Sequence, residues 1–270
     1  MSHSADSAPV EQRTRPIQVR SVGRHLDRVD GHAKVTGRAT YAVEHRDGDG
    51  IVDPLHAWLV QSTVAKGQVV GVDTATALAH PGVLAVLDHT NAPRLADRQN
   101  GELAILQGPE IHFRGQVVAV VLAETPEAAR EGAALVHVSQ EAEDHEAELR
   151  EDNATYRPEK VNPAMETDTD EGDVDAALAA ADVVVEQTYR TAYEHNNPLE
   201  PHATTARWDE EDGREVLSLF DSTQGVHGVV QAIAPMLGLE AEQVRVRAPY
   251  VGGGFGSKGE AHAHVVAAAL

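Results

Sequence analysis

Residues 244–258, V-R-V-R-A-P-Y-V-G-G-G-F-G-S-K, constrain this chain more than any other stretch. Val244, Val246 and Ala248 alternate with arginines, the period of a half-buried strand. Pro249 ends the ladder because it has no N–H to donate. The chain then meets four glycines around one aromatic, Gly252-Gly253-Gly254-Phe255-Gly256, and closes on Ser257-Lys258. Without Cβ atoms the backbone can approach a ligand closely, and successive free N–H groups on such a loop form an anion-binding concavity. Phe255 is the only bulky group there, and it reads as the wall of a site rather than a plug in the core.

Two familiar glycine loops do not fit. A Walker loop needs Lys directly after Gly and Ser or Thr directly after Lys, whereas Lys258 follows Ser257 and precedes Gly259. In the dinucleotide fingerprint G-x-G-x-x-G, Gly252 and Gly254 are followed by Ser257 where the third glycine belongs. What remains is a cofactor loop whose amides hold an anionic or oxo ligand and whose Phe255 shapes the pocket. Two other stretches support it. The run S-T-Q-G-V-H-G at 222–228 reads as a strand-to-helix turn capped by Thr223, with Gln224 at the helix start, where a neutral donor can face an oxo or phosphate group. The run E-H-N-N-P-L-E-P-H-A-T at 194–204 gathers polar side chains between two strands, and Pro198 and Pro201 stiffen it. Glu200 and His202 are its candidate pocket-lining residues. A metal site built on Glu200 with His195 and His202 is disfavoured, because the chain has no Cys and these residues lack an i, i+4 pair.

The totals exclude several classes. Forty-three acidic residues against 22 basic ones leave a net charge of −21, a poor match for nucleic acid or an anionic membrane surface. The absence of Cys rules out disulfides, thiolate zinc sites and Cys-ligated iron–sulfur clusters within this chain. No apolar run approaches the ~20 residues of a spanning helix. Residues 1–21 read as a polar, disordered arm without the apolar core of a signal peptide.

The rest reads as α+β in two units. Residues 22–41 are loop-like, with Val35 and Tyr41 as anchors. Strands are expected at 55–62, 68–72, 83–87, 115–122 and 135–138. A short helix follows Asp73 or Thr74 and stops before Pro81-Gly82, and a longer one runs from Thr125-Pro126 to 134. A polar stretch covers 89–100. The first domain therefore covers 22–140, and the acidic, proline-interrupted stretch 141–172 reads as a linker between domains or equally as a long solvated loop within one domain. From Asp173 a capped helix runs to 181, followed by a strand at 183–191 and a hairpin of 204–208 with 216–220 around Asp212-Gly213. Val226, Val229, Val230, Ile233 and Leu237 mark a helix that Gly238 stops. Residues 259–270 form a final apolar helix without a C-cap, on which His262 and His264 point to different sides. Such a helix is expected to need cover from further polypeptide, so 173–270 reads as a truncated domain.

Taken together and in order, E-H-N-N-P-L-E-P-H-A-T, S-T-Q-G-V-H and V-G-G-G-F-G-S-K resemble the molybdenum-binding large subunit of the xanthine dehydrogenase/aldehyde oxidase family. D-R-V-D-G-H-A-K-V-T-G-R-A-T-Y-A, P-G-V-L-A-V and F-R-G-Q-V-V-A-V-V-L-A-E-T-P-E-A-A-R extend the likeness over 22–270, and it is greatest to the bacterial periplasmic aldehyde oxidoreductase branch. The resemblance implies an α/β hammerhead-type domain at 22–140 and the first part of a molybdopterin-binding domain at 173–270. It implies that Gln224, Gly225, Gly254, Phe255 and Gly256 contact a molybdopterin cofactor, in this branch its cytosine dinucleotide form, with Gln224 near an oxo group. It also implies a small-molecule substrate, [2Fe–2S] and FAD centres on partner subunits, and a catalytic Glu in the remaining C-terminal part of the subunit, outside these residues. No catalytic base and no direct metal ligand is therefore expected in this chain, which by itself should be inactive. In purine-oxidising members a Glu follows the loop Lys, whereas here Gly259 intervenes before Glu260, which argues against a purine. With no signal peptide in the polar N-terminus, a cytoplasmic enzyme is expected, or one exported with a signal-bearing partner subunit. The rival reading is a truncated, non-catalytic paralogue with a binding or assembly role.

Overall fold

The computed structural model describes residues 22–148, 150, 166–192 and 194–270; the 1–21 arm and the middle of the 141–172 linker lie outside them. The chain divides into two compact units, Met1–Ala39 and Thr40–Leu270. In the first, one short helix, α1 (Gly31–Val35), follows Asp30. Hydrogen bonds from Lys34 and Arg28 hold the Asp30 carboxyl down to about 2. Val35 anchors nothing, since it is 84% exposed.

The second unit is organised on β5 (Val117–Ala123), V-V-A-V-V-L-A. An unbroken apolar run suits a strand covered on both faces. β5 is the centre of a three-stranded antiparallel sheet, flanked by β1 (His56–Gln61) and β3 (Val83–Asp88). A second sheet places β2 (Gly67–Asp73) between β4 (Glu110–Ile111) and β6 (His137–Ala142). Helix α2 (Ala75–Leu78) precedes β3, and α3 (Pro126–Leu135) packs on β1 and β5. Thr125 caps α3 by accepting the Ala128 N–H at 3.1 Å, with Pro126 in the first turn as expected. Gly132 of α3 lies against the sheet, where a Cβ would sit 2.6 Å from Val83 Cγ2 and 3.1 Å from Val121 Cγ1.

The third sheet carries the glycine loop. β7 (Thr204–Glu211) and β8 (Arg214–Asp221) pair antiparallel, and Asp212 and Gly213 both take positive φ, as a tight two-residue hairpin requires. Helix α5 (Val226–Leu237) then crosses over, so that β9 (Val244–Arg247) runs parallel to β8. Gly238 ends α5 at φ 70°, the left-handed stop expected of it. One core joins this sheet to the first: Val117 and Val120 meet Leu217, Leu219, Val229, Ile233, Val265 and Val266.

Three expectations change. Residues 183–191 form no strand; every residue from 171 to 192 is exposed, because no neighbouring edge accepts them among the described residues. Helix α4 (Val174–Ala180) does form, and Asp173 caps it by accepting the Ala176 N–H. Thr223 is not the cap of α5. Gly225 holds that position, and Thr223 Oγ1 instead accepts the Gly225 N–H and donates to the Lys258 carbonyl. The last helix, α6 (Ala263–Ala269), starts later than its composition suggests, and this chain's own core buries Val265, Val266, Ala267 and Ala269, so no further polypeptide is needed to cover them. The polar stretch after β3 contributes to the same core. Ala92 and Leu95 reach the core, and Ala96 donates to the Met236 carbonyl.

Helix propensity alone says Gly132→Ala should stabilise α3 by about 1 kcal/mol. The stiff, buried valines facing it reverse the sign, and overpacking should cost about 1–3 kcal/mol. Chemical denaturation of Gly132→Ala, expected at a lower midpoint with unchanged slope, checks this.

Candidate functional site

β9 delivers the chain to the glycine loop, and the loop is fastened at both ends by one carboxylate. Glu200 Oε2 accepts the Gly252 N–H at 2.7 Å and the Lys258 ammonium at 2.9 Å. Lys258 Nζ also donates to the Glu200 carbonyl at 2.8 Å, and Glu200 N–H donates to the Gly252 carbonyl. Lys258 is 1% exposed, so its charge is tolerated only because this partner is beside it. Glycine is required at 252, since a Cβ there would lie 2.4 Å from Glu200 Cβ. The second oxygen, Glu200 Oε1, is buried and has no hydrogen-bond partner among the described residues.

Gln224 closes the loop from the other side. Its Oε1 accepts the Gly256 N–H at 3.1 Å and the Lys258 N–H at 3.4 Å, and its own N–H donates to the Lys258 carbonyl at 2.7 Å. This commits the oxygen end of the carboxamide inward and leaves the NH₂ end as the outward donor. Gly254 gives the side chain its seat: a Cβ there would lie 2.2 Å from Gln224 Oε1. Gly225 lies between Gln224 and α5 as the helix cap, so Gln224 precedes the helix rather than starting it. Phe255 is 73% exposed at φ 55°, and its ring lies over Gly253, where an added Cβ would be 3.1 Å from Phe255 Cε2. Asn196 Nδ2 holds the Phe255 carbonyl at 2.5 Å. The ring is thus outside the core, on a backbone pinned from two sides.

Beneath the loop sit three histidines. His202 Nε2 and His262 Nε2 both donate to the Ser257 carbonyl, at 2.9 and 2.8 Å. His264 packs edge-on to His202 with ring centres 5.6 Å apart. His262 and His264 therefore converge, with their rings stacked at 6.3 Å. The expectation that they diverge assumed a helix through both, whereas His262 is the extended residue before α6. The three rings, with Leu59, Gln61 and Glu102, line a cavity of about 290 Å³. His262 Nδ1 meets Glu102 Oε1 at 2.7 Å. Both its ring nitrogens face oxygens that only accept, an arrangement that favours the doubly protonated ring over the neutral one. Partial burial disfavours that charge, but the Glu102 and Ser257 hydrogen bonds and the Glu260 field outweigh it, and the pKa is raised above 6.5.

The structure thus brings Glu200, His202, Gln224, Gly225, Gly254, Phe255 and Gly256 to one loop. Asn196, Thr223, Lys258, Glu102 and His262 support it through contacts that the motifs do not show. Asn196 lay inside a quoted motif, but Glu102 is 160 residues from His262, and no spacing rule connects them.

Residues 36–144 match the aldehyde oxidase and xanthine dehydrogenase a/b hammerhead domain, and residues 156–270 match the molybdopterin cofactor-binding domain. The chain is similar to the aldehyde oxidoreductase molybdenum-binding subunit PaoC of Escherichia coli (strain K12), at 36% identity over 248 residues, which is 89% of this chain and 32% of that one. It is 32% identical over 250 residues to the nicotinate dehydrogenase large molybdopterin subunit of Eubacterium barkeri, covering 88% of this chain and 55% of that one. Among solved structures it is similar to the reconstituted CO dehydrogenase from Oligotropha carboxidovorans, with a TM-score of 0.68 at 26% identity over 91% of this chain and 33% of that one. The chain spans about a third of the length of its Escherichia coli relative.

Two expected outcomes follow from the geometry. Lys258→Met strands the buried Glu200 carboxylate and should cost about 3–5 kcal/mol by denaturation. Adding Glu200→Gln should recover part of that loss, whereas strict additivity of the two would mean they do not act as a pair. For His262 the raised pKa sets the sign: its contribution is complete below 6.5 and is lost as pH rises through the higher folded value. Because the pair is partly solvated, wild type should lose about 0.2–1 kcal/mol between pH 6 and pH 8 relative to His262→Gln in paired thermal melts.

Proposed function

The chain belongs to the aldehyde oxidase and xanthine dehydrogenase family of molybdenum-binding subunits, and on that premise we propose that it forms part of a molybdenum hydroxylase. The substrate is an aldehyde or an N-heterocycle, with water as the oxygen source. The reading is carried by one observation, the seating of Gln224 under a glycine edge that a single added Cβ would destroy.

The residues would fit an oxo ligand on a pterin-held molybdenum. Gln224 presents its NH₂ as a neutral donor because Gly256 and Lys258 occupy its oxygen. Gly253 and Gly254 keep the approach free of Cβ atoms, and exposed Phe255 offers an apolar wall. Gln224, Gly225, Gly254, Phe255 and Gly256 would hold the cofactor, while Glu200 and His202 brace the loop behind them. When bound, the molybdenum cofactor supplies the two-electron redox step. The chain's own residues hold and orient; the general base lies in the remaining C-terminal part of the subunit, so the 270-residue chain is expected to oxidise no aldehyde unaided. Since the chain has no Cys, iron–sulfur clusters, like FAD, belong to partner subunits. No helix among the described residues is long and apolar enough to cross a membrane. A cytoplasmic location fits the sequence, with export beside a signal-bearing partner as the alternative.

The test is molybdenum and pterin analysis of the complex purified with its accompanying chains. Both are expected in equal amounts. Gly254→Ala, which drives a Cβ into Gln224, should reduce bound molybdenum roughly tenfold, the scale on which supporting residues act at metal sites. A complex with neither molybdenum nor pterin would leave the chain a non-catalytic binding or assembly protein.

A further inference from the structure

Residues 183–191, V-V-V-E-Q-T-Y-R-T, have the composition of a strand. Val183, Val185 and Tyr189 fall on one face of such a strand, and Val184, Glu186, Thr188 and Arg190 on the other. The segment holds no proline, so every backbone N–H is available to a ladder. Yet among the described residues it joins no sheet. Val183 is 78% exposed, Val185 74% and Tyr189 82%, and the preceding α4 adds exposed Val174 and Leu178. Three consecutive valines and a tyrosine in water form an unpaired, pairing-competent segment.

We propose that 183–191 adds as an edge strand to a sheet of the polypeptide that follows, in the longer relatives, the region matched here. The proposal rests on reading the chain as the first third of a molybdenum-binding subunit, the relative's other two thirds being the source of the sheet. Charge argues against a second copy in that place. Asp170, Glu171, Asp173, Asp175, Asp182 and Glu186 crowd the arm against Arg190, so two arms side by side would repel. The accepting strand is apolar on one face and basic at its flank. Recognition is by main-chain hydrogen bonds, with the valines and Tyr189 setting the register.

Hydrogen exchange tests this in two formats: the chain mixed with the remaining two thirds of the Escherichia coli relative, and a chimera in which residues 22–270 replace that relative's first third. Amides of 183–191 should exchange at least tenfold more slowly in one or both than in the chain alone. Val185→Pro should abolish the slowing and Val185→Thr should keep it. Unslowed exchange in both formats, including failure of the mixed pieces to associate, overturns the proposal. Slow exchange already present in the chain alone also overturns it, by a second copy if it depends on concentration and by pairing within the chain if it does not. Molybdenum analysis of the same samples separates the two readings. Slowed exchange without molybdenum leaves strand addition standing and removes the enzymatic reading; molybdenum without slowing does the reverse.

Discussion

The site depends on one buried ion pair. Lys258 is sealed from solvent, and Glu200 is the carboxylate that makes its burial tolerable. Because Glu200 Oε2 also takes the Gly252 N–H, the pair ties the start of the glycine loop to its end. A loop this rich in glycine has much conformational entropy to lose, and two hydrogen-bonded ends restrict it strongly. Gln224 supplies the third tie, from a separate turn, to Gly256 and Lys258. The glycines can then serve close approach instead of flexibility.

The scaffolding around the loop is tied to it at several points. The β8–α5–β9 crossover places the Gln224 turn and the glycine loop side by side, because parallel neighbours bring the segment leaving β8 and the segment leaving β9 to one end of the sheet. The histidine cluster backs the loop through the Ser257 carbonyl and connects it, through Glu102, to the loop ahead of β5. Phe255 gains a fixed position although its ring is mostly in solvent, since Asn196 holds its carbonyl and its ring covers Gly253.

Much of the fold was legible along the chain. β5 announced itself as an apolar run, α3 by Thr125-Pro126, the β7–β8 hairpin by Asp212-Gly213 and the end of α5 by Gly238. Each of these signals acts over a few residues through backbone geometry. Residues 183–191 misled for the converse reason: β propensity describes a fit to a neighbouring strand, and none is offered within the described residues. The apolar C-terminal helix misled because composition does not show what lies over it, and β7 and the shared core bury α6.

By itself the sequence determined the glycine loop, the Gln-Gly turn and the order of motifs that identify the family, since these are local requirements for absent Cβ atoms and available N–H groups. Only the tertiary structure decided that Glu200 and Lys258 pair, that Gln224 turns its oxygen inward, and that Glu102, His202 and His262 converge under Ser257. Apart from His262 to Ser257, those contacts join residues 32 to 160 positions apart, and they exist because the core closes over them. Burial and partnership are properties of that closure, and no local pattern encodes them.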